Sequence, residues 1–334
     1  MSTSRAAWRR AAAVGLALLA GTSVLEQANG RESQAESRVS GRSLVEWRSD
    51  GRLVFARKDR LFTAHGWEGT CDSAGLYLLD RTGRTEPWHT GDTVCRAIGA
   101  SVGGMMSLSP DQTSLLYADQ WTNGSIHRLD LVQNHDTLLL EDSCLLVDQV
   151  PSWSPEGTRV AFAKGCPDTA HSTQIHLMNV NGCCLQPLRA PAVGEVDRDP
   201  TWAPNGRRIA VGRGSGNVPW RSEIDILDLV TGLRRRLTSG AMPAWSPTGE
   251  WIAFVRWDST SMKMPSVWLA RPDGTQERQV VATEPREQPP NAGEVWWGPV
   301  VWSADGSALA IARLSSVWTV GTNGGSPRAF VRRR

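Results

Sequence analysis

Residues 151–188 read PSWSPEGTRVAFAKGCPDTAHSTQIHLMNVNGCCLQPL, and the rest of the chain copies this unit. It opens Pro-x-Trp-Ser-Pro-x-Gly through Pro151, Trp153, Ser154, Pro155 and Gly157. A short apolar run follows at Val160, Ala161 and Phe162, then a polar stretch, then a second run at Ile175, Leu177 and Met178 that ends in Asn181–Gly182. The same order returns as PTWAPNGRRIAVG from Pro200, PAWSPTGEWIAFV from Pro243 and PVVWSADGSALAIA from Pro299. Two looser copies come earlier, EWRSDGRLVFA from Glu46 and MSLSPDQTSLLYA from Met106, where Leu108 stands for the Trp and Gln112 for the Gly. Second runs LYLLDRTG, IHRLDL, IDILDLVTG, VWLARPDG and VWTVGTNG complete the other five copies, so the chain carries six repeats.

Runs of three to five β-branched or aromatic residues bounded by Pro, Asn, Asp and Gly are strands between turns. Pro-Glu-Gly, Pro-Asn-Gly and Pro-Thr-Gly place Pro where φ is preset and Gly where φ is positive. The Trp or its substitute falls at 47, 108, 153, 202, 245 and 302. A period near 40–50 residues with four short strands per unit fits a propeller blade. One four-stranded sheet cannot bury both of its faces alone, but blades stacked radially cover each other and the ring closes. The expected fold is therefore all-β, a six-bladed propeller over 44–334. Its blades are expected near 44–92, 103–143, 149–192, 199–240, 242–284 and 298–334, with almost no helix.

Trp-Ser-Pro-x-Gly, an Ile-Ala-Phe-like run and a second run ending in Asp-Gly or Asn-Gly resemble the WD-like propeller repeat of TolB-type proteins. The resemblance covers Leu44 to the C-terminus and is closest in repeats three to five. It implies a six-bladed propeller, commonly periplasmic or exported, that binds proteins. TolB itself places a separate α/β domain ahead of its propeller. Here a leader and a short polar segment are read in that place, so TolB's own role is not carried over.

Arg5, Arg9 and Arg10 precede Ala11–Leu25, an uncharged run of 15 residues rich in Ala, Leu and Val. Basic then apolar is a signal-peptide pattern, expected over 1–30, and the run is short of the about 20 residues of a membrane span. A retained N-terminal anchor is the alternative. Residues 31–43 read as a polar linker. Lys and Arg number 36 against 34 Asp and Glu, so no large basic surface is implied, and nucleic acid is not an expected partner. The runs Arg234–Arg236 and Arg332–Arg334 read as a solvated strand edge and a frayed tail. No segment after the leader is long and apolar enough to cross a membrane, and a monomer, periplasmic or secreted, is expected.

With strands A to D numbered from the channel outward, the Ser-Pro-x-Gly turns join A to B and the Asp-Gly or Asn-Gly turns join C to D, all on one face. The B–C loops and D–A crossovers lie on the other face and differ in length and composition, which is where function tends to sit. Cys71 and Cys95 fall in neighbouring loops of that crossover face, as do Cys144 and Cys166. An even cysteine count behind an export leader favours disulfides, expected as Cys71–Cys95 and Cys144–Cys166. Cys183 and Cys184 lie in a C–D turn on the opposite face and either bridge each other or stay reduced. No Cys-x-x-Cys occurs, so neither a zinc ribbon nor a thioredoxin-type site is indicated.

Sixteen Trp against two Tyr is an unusual balance. Trp47, Trp153, Trp202, Trp245 and Trp302 are the repeat tryptophans and pack between blades, as Trp268 and Trp318 do in C strands. Trp67, Trp121, Trp220 and Trp257 fall in B–C loops, and Trp296 and Trp297 in the last crossover. These six either cap seams or form a partner-binding surface, because Trp is favoured at binding hot spots. Catalytic motifs are absent: there is no Gly-x-Ser-x-Gly elbow, phosphate loop, His-Glu-x-x-His or calcium loop. The histidines at 65, 89, 127, 135, 171 and 176 lack ligand spacing. No catalytic residue, cofactor or metal is therefore assigned. Carboxylates gather in the crossovers at Glu141, Asp142 and Asp148, at Glu195, Asp197 and Asp199, and at Glu284, Glu287 and Glu294, and read as solvated loops near a channel mouth. The expected function is an exported, non-catalytic scaffold that binds a protein or peptide on the crossover face. The alternative is a propeller hydrolase or lyase acting on carbohydrate or peptide at the channel mouth.

Overall fold

The computed structural model describes residues 42–330 apart from 58–61, 64–65, 68–70, 72–73, 120–123, 144–150, 166–172, 189–194, 215–221, 258–264, 283–299 and 314–315. The predicted leader, most of the predicted linker and the last four residues lie outside the described residues. Strand β1 begins at Arg42, inside the segment expected as linker, and Arg42 and Ser43 pair with Arg57 and Ala56.

Six four-stranded antiparallel sheets form a six-bladed propeller, as the repeats require. Blade one orders β1 (Arg42–Trp47), β2 (Leu53–Arg57), β5 (Gly75–Leu79) and β6 (Thr85–Thr90) outward. Its B–C loop carries an extra two-stranded hairpin, β3 (Phe62–Thr63) with β4 (Gly66–Trp67). Blade two is β7 (Ser101–Leu108) to β10 (His135–Glu141), with β8 (Ser114–Asp119) and β9 (Ser125–Asp130) between them. Blade three runs β11 (Ser152–Trp153), β12 (Arg159–Lys164), β13 (Gln174–Asn179) and β14 (Gln186–Pro187). Blade four runs β15 (Val196–Trp202), β16 (Arg208–Gly214), β17 (Glu223–Asp228) and β18 (Arg234–Ser239). Blade five runs β19 (Ala241–Trp245), β20 (Ile252–Trp257), β21 (Pro265–Ala270) and β22 (Arg278–Val281), and blade six β23 (Val301–Trp302), β24 (Ala308–Arg313), β25 (Ser316–Gly321) and β26 (Arg328–Ala329).

The repeat motif builds the A–B turn in three ways. Gly51, Gly157, Gly206, Gly249 and Gly306 sit at φ of 67–82°, which only Gly adopts without strain, and in blade two Gln112 takes φ 61° in the same place. The Ser that follows the repeat Trp accepts the backbone N–H five residues on: Arg159 to Ser154 at 3.0 Å, Trp251 to Ser246 at 3.0 Å and Ala308 to Ser303 at 2.9 Å. In blade two Ser109 accepts from Ser114 at 2.9 Å. The Trp one place before that Ser then reaches the preceding blade. Trp153 Nε1 donates to the Ser107 carbonyl at 2.9 Å, Trp202 to Ser152 at 3.3 Å and Trp302 to Ala244 at 2.9 Å.

The core is divided among the seams. Trp153, Val160, Phe162 and Met178 of blade three pack on Leu116, Ile126 and Leu139 of blade two. The other face of β12, Ala161 and Ala163, packs with Ile175 and Leu177 on Trp202, Ile209, Val211 and Leu227 of blade four. Trp245 and Trp302 fill the next two seams in the same way. Trp47 closes the ring against blade six, meeting Phe330 edge-on with ring centroids 5.8 Å apart. Among the described residues each blade is continuous in sequence.

The seam between blades one and two has Leu108 where the others have Trp, and it recruits a helix. Helix α1 (Asp92–Ala100) lies in the crossover that was read as irregular, and it buries Val94, Ala97 and Ile98 against both blades. That i, i+3, i+4 spacing is a helical face, and Asp92 favours the positive end of the helix dipole.

The indole bonds allow an internal comparison. Among the described residues Trp245 Nε1 has no acceptor, although its ring fills the same kind of seam as Trp153. Both Trp153→Phe and Trp245→Phe shrink a ring, but only the first orphans a carbonyl partner. Trp153→Phe should cost about 1–3 kcal/mol more in denaturant unfolding. Equal losses would show that the indole bond contributes nothing to the seam.

Candidate functional site

The crossover face carries structure that the repeat does not require. In blade one, hairpin β3–β4 and helix α1 stand on neighbouring loops, and Cys71 is joined to Cys95 of α1 by a disulfide. The bond closes a loop with a sequence separation of 24 residues, tying a segment that has few strand contacts to a helix packed in a seam. Trp67 lies on β4, four residues before Cys71, and Trp257 ends β20 opposite Pro265. Trp121, Trp220, Trp296 and Trp297 lie outside the described residues, as do Cys144 and Cys166. Cys183 and Cys184 are exposed free thiols on the opposite face.

Of the crossover carboxylates expected to be solvated near the channel mouth, Asp148, Glu284, Glu287 and Glu294 lie outside the described residues and Glu141 is exposed, whereas Asp142, Glu195 and Asp197 are paired, which corrects that reading for these three. Asp142 pairs with Lys164 at 2.5 Å. Asp197 and Asp225 are buried on the blade-four side of a seam, where Arg234 binds both. Arg234 meets Asp197 Oδ1 at 2.6 Å and Asp225 Oδ2 at 2.6 Å. Arg213 extends the cluster to Glu195 at 3.0 Å, Glu223 at 2.5 Å and Asp225 at 3.0 Å. Arg234 is therefore not a solvated strand edge, although Arg236 beside it is well exposed and pairs with Glu223. Burial raises Asp197 above the usual carboxylate range, and the bonds from Arg234 oppose that rise. Arg234 is raised because its bonds to Asp197 and Asp225 outweigh its burial. Thr173 of blade three ties the cluster to its neighbour, donating its hydroxyl to the Asp197 carbonyl at 2.8 Å. The register gives each blade an equivalent C-strand place: Tyr77, His127, His176, Asp225, Trp268 and Trp318. Blades two to four thus put histidine or aspartate groups where the others put a Tyr or Trp ring.

Two of these groups are histidines, and both are engaged. His176 is buried and stacks on Phe162. His127 stacks on Tyr117 with ring centroids 5.0 Å apart, and its ring nitrogens lie 3.0 Å from Ser125 Oγ and 2.9 Å from Asp136 Oδ2. Burial raises Tyr117 far above the usual range, and a hydrogen bond to Asp136 adds to the rise.

The channel holds the third feature, which sequence reasoning missed. A cavity of about 560 Å³ is lined by all six innermost strands. The residue just before the repeat Trp contributes from each blade: Glu46, Ser107, Ser152, Thr201, Ala244 and Val301. Five are small or apolar, and at this position only blade one supplies an acid, while Asp199 of blade four lines the cavity two places earlier. That contrast was visible by aligning the repeats. Glu46 is only partly exposed, and burial pushes its carboxyl up to about 7 against a hydrogen bond with the Trp47 backbone that lowers it. Among the described residues no three His, Cys, Asp or Glu converge as metal ligands.

No protein-family model and no curated protein matches the chain. Solved structures do. A putative TolB from Agrobacterium tumefaciens aligns with a TM-score of 0.56 at 18% identity, over 79% of this chain and 87% of that one. TolB from Acinetobacter baumannii aligns at 0.53 and 15%, over 77% of this chain, which spans 62% of that protein's length. An oligogalacturonate lyase from Vibrio parahaemolyticus aligns at 0.55 and 13%, over 86% and 76%. At these identities the likeness shows the fold, a TolB-like β-propeller shared by proteins of different activity.

Glu46 has a signed pH consequence. Its folded value near 7 lies above the ordinary 4.5, so the folded chain holds this proton more tightly than the unfolded chain. Below pH 4.5 both states are protonated and nothing is lost; between 4.5 and 7 the stability falls, by at most about 3 kcal/mol at 1.36 per unit. Glu46→Gln removes this titration. The variant should match the native chain at pH 4.5 and exceed it in unfolding free energy at pH 8. A constant difference across that range would show that Glu46 titrates normally.

Proposed function

We propose that this chain is an exported, non-catalytic propeller scaffold that binds a protein or peptide on its crossover face. The observation that carries this reading is the hairpin and helix of blade one. They add structure to one face only, are joined through Cys71–Cys95, and place Trp67 on a short sheet beside that anchor. A disulfide suits an oxidising compartment, in keeping with the signal-like leader. The TolB-like repeat implies protein binding. Trp67, Trp121, Trp220, Trp257, Trp296 and Trp297 are the proposed anchors, since a Trp per blade already serves packing in five seams. Binding of one partner copy per monomer follows from this reading.

Photo-crosslinking tests it. Benzoylphenylalanine at 67 or 257 should capture a partner from intact cells, and the same group at exposed Val132 on the turn face should not. Trp67→Ala with Trp257→Ala should then weaken the purified partner at least about tenfold, 1.4 kcal/mol, with an unchanged melting temperature. Capture from Val132 alone, or a double variant that melts early yet binds normally, contradicts the reading.

A second reading rests on Ser125, His127 and Asp136, whose bonds follow the order of nucleophile, base and orienting carboxylate. It ranks below the first because Ser125 is 1% exposed and Asp136 also serves Tyr117. The native chain should stay unlabelled by a fluorophosphonate probe. Labelling abolished by Ser125→Ala would reverse the ranking.

A further inference from the structure

The C–D turn of blade three, on the face opposite the proposed binding surface, presents two adjacent thiols. Cys183 and Cys184 are both exposed, and their Sγ atoms lie 2.8 Å apart. The turn that holds them is fixed on each side. Gly182 at φ 83° lies so close to blade two that a Cβ there would stand 2.5 Å from the Leu139 carbonyl oxygen. Gly182 N–H donates to the Asn179 carbonyl at 2.9 Å, and Asn179 N–H donates to the Cys183 carbonyl at 2.9 Å. Cys183 N–H donates to Asn181 Oδ1 at 3.1 Å, and Asn179 Nδ2 donates to Cys183 Sγ at 3.4 Å. Cys184 itself takes φ 63°, an uncommon place for a residue with a side chain. The sulfurs are thus held together by the turn.

We propose that Cys183 and Cys184 form a reversible two-electron dithiol–disulfide site that exchanges with small disulfides. Either thiol can donate in the bond between the two sulfurs, and the Asn179 amide donates to Cys183 Sγ, which favours the thiolate there. Cys183 is therefore the attacking sulfur, since the thiolate is the nucleophile. Its thiolate attacks one sulfur of oxidised glutathione; that S–S bond breaks, and one glutathione thiolate leaves and takes up a proton. Cys184 gives its proton to solvent and attacks Cys183 Sγ, expelling the second glutathione. Two protein thiols are oxidised to one disulfide, and one glutathione disulfide is reduced to two thiols. The site stands apart from the crossover face, so its failure leaves the proposed function untouched, and the converse holds.

The full folded chain, equilibrated in glutathione buffers of graded redox ratio, then alkylated and mapped by peptide mass, decides the matter. Cys183 and Cys184 should lose alkylation together, with their common peptide lighter by two hydrogens, and regain it when the buffer is made reducing. In Cys184→Ser the resolving sulfur is gone, so a glutathione adduct should persist on Cys183, whereas the native chain accumulates none. Because both side chains are exposed, an unchanged melting temperature should confirm that the variant is folded. Thiols that stay alkylatable in the most oxidising buffer would overturn the site. So would a lasting glutathione adduct or an intermolecular dimer of the native chain.

Discussion

Five of the six blades are held to the one before them by the tryptophan that closes their innermost strand. Its ring fills the seam, and at Trp153, Trp202 and Trp302 its N–H also satisfies a carbonyl of the neighbouring inner strand, at Ser107, Ser152 and Ala244. A four-stranded sheet alone leaves apolar faces in water, so the fold depends on these seams more than on any one blade. Where the tryptophan is missing, at Leu108, helix α1 supplies the lost apolar area. Arginines cover rings from outside, Arg159 over Trp202 at 4.8 Å and Arg208 over Trp245 at 5.5 Å.

That arrangement frees one face for variation. The A–B and C–D turns are fixed by glycine conformation and by Ser or Asp side chains that accept backbone N–H groups, so they offer little room for a partner. Asp80, Asp228, Asp273 and Asp305 are all held below the usual range by such bonds, led at Asp228 by the Thr231 backbone and at the other three by a side-chain hydroxyl. The B–C loops and crossovers carry no such obligation, and blade one uses them for a hairpin, a helix and a disulfide. The charge cluster of blade four lies buried beneath the same face. Removing one partner there would strand a buried charge, commonly at about 3–5 kcal/mol, so it rigidifies the scaffold instead of binding solutes.

The fold was legible because the repeat states it six times: Pro, Trp, Ser and Gly each mark a backbone requirement that recurs at one spacing. The Cys71–Cys95 pairing was legible because propeller geometry puts those two loops side by side. Helix α1 was not, since its three apolar residues look like irregular crossover until the missing tryptophan at Leu108 is seen as a gap to fill. The role of Arg234 was hidden for another reason. Three consecutive arginines read as solvent charge; the register sets Arg236 opposite Asp225, and only the ion pairs of Arg234 with Asp197 and Asp225 show which one turns inward. Glu46 likewise looks ordinary in a strand and becomes unusual only when six copies meet around one channel. The proposed anchors were read from their loops alone.

If the seams hold the ring, no blade opens without its neighbours. Native-state hydrogen exchange on the intact chain, followed by mass spectrometry at rising denaturant, measures this directly. The middle strands of all six blades, β2 and β5 as much as β20 and β21, should converge on one opening free energy and be lost together. Blades that open separately, each with its own free energy, would contradict a ring held through its tryptophan seams.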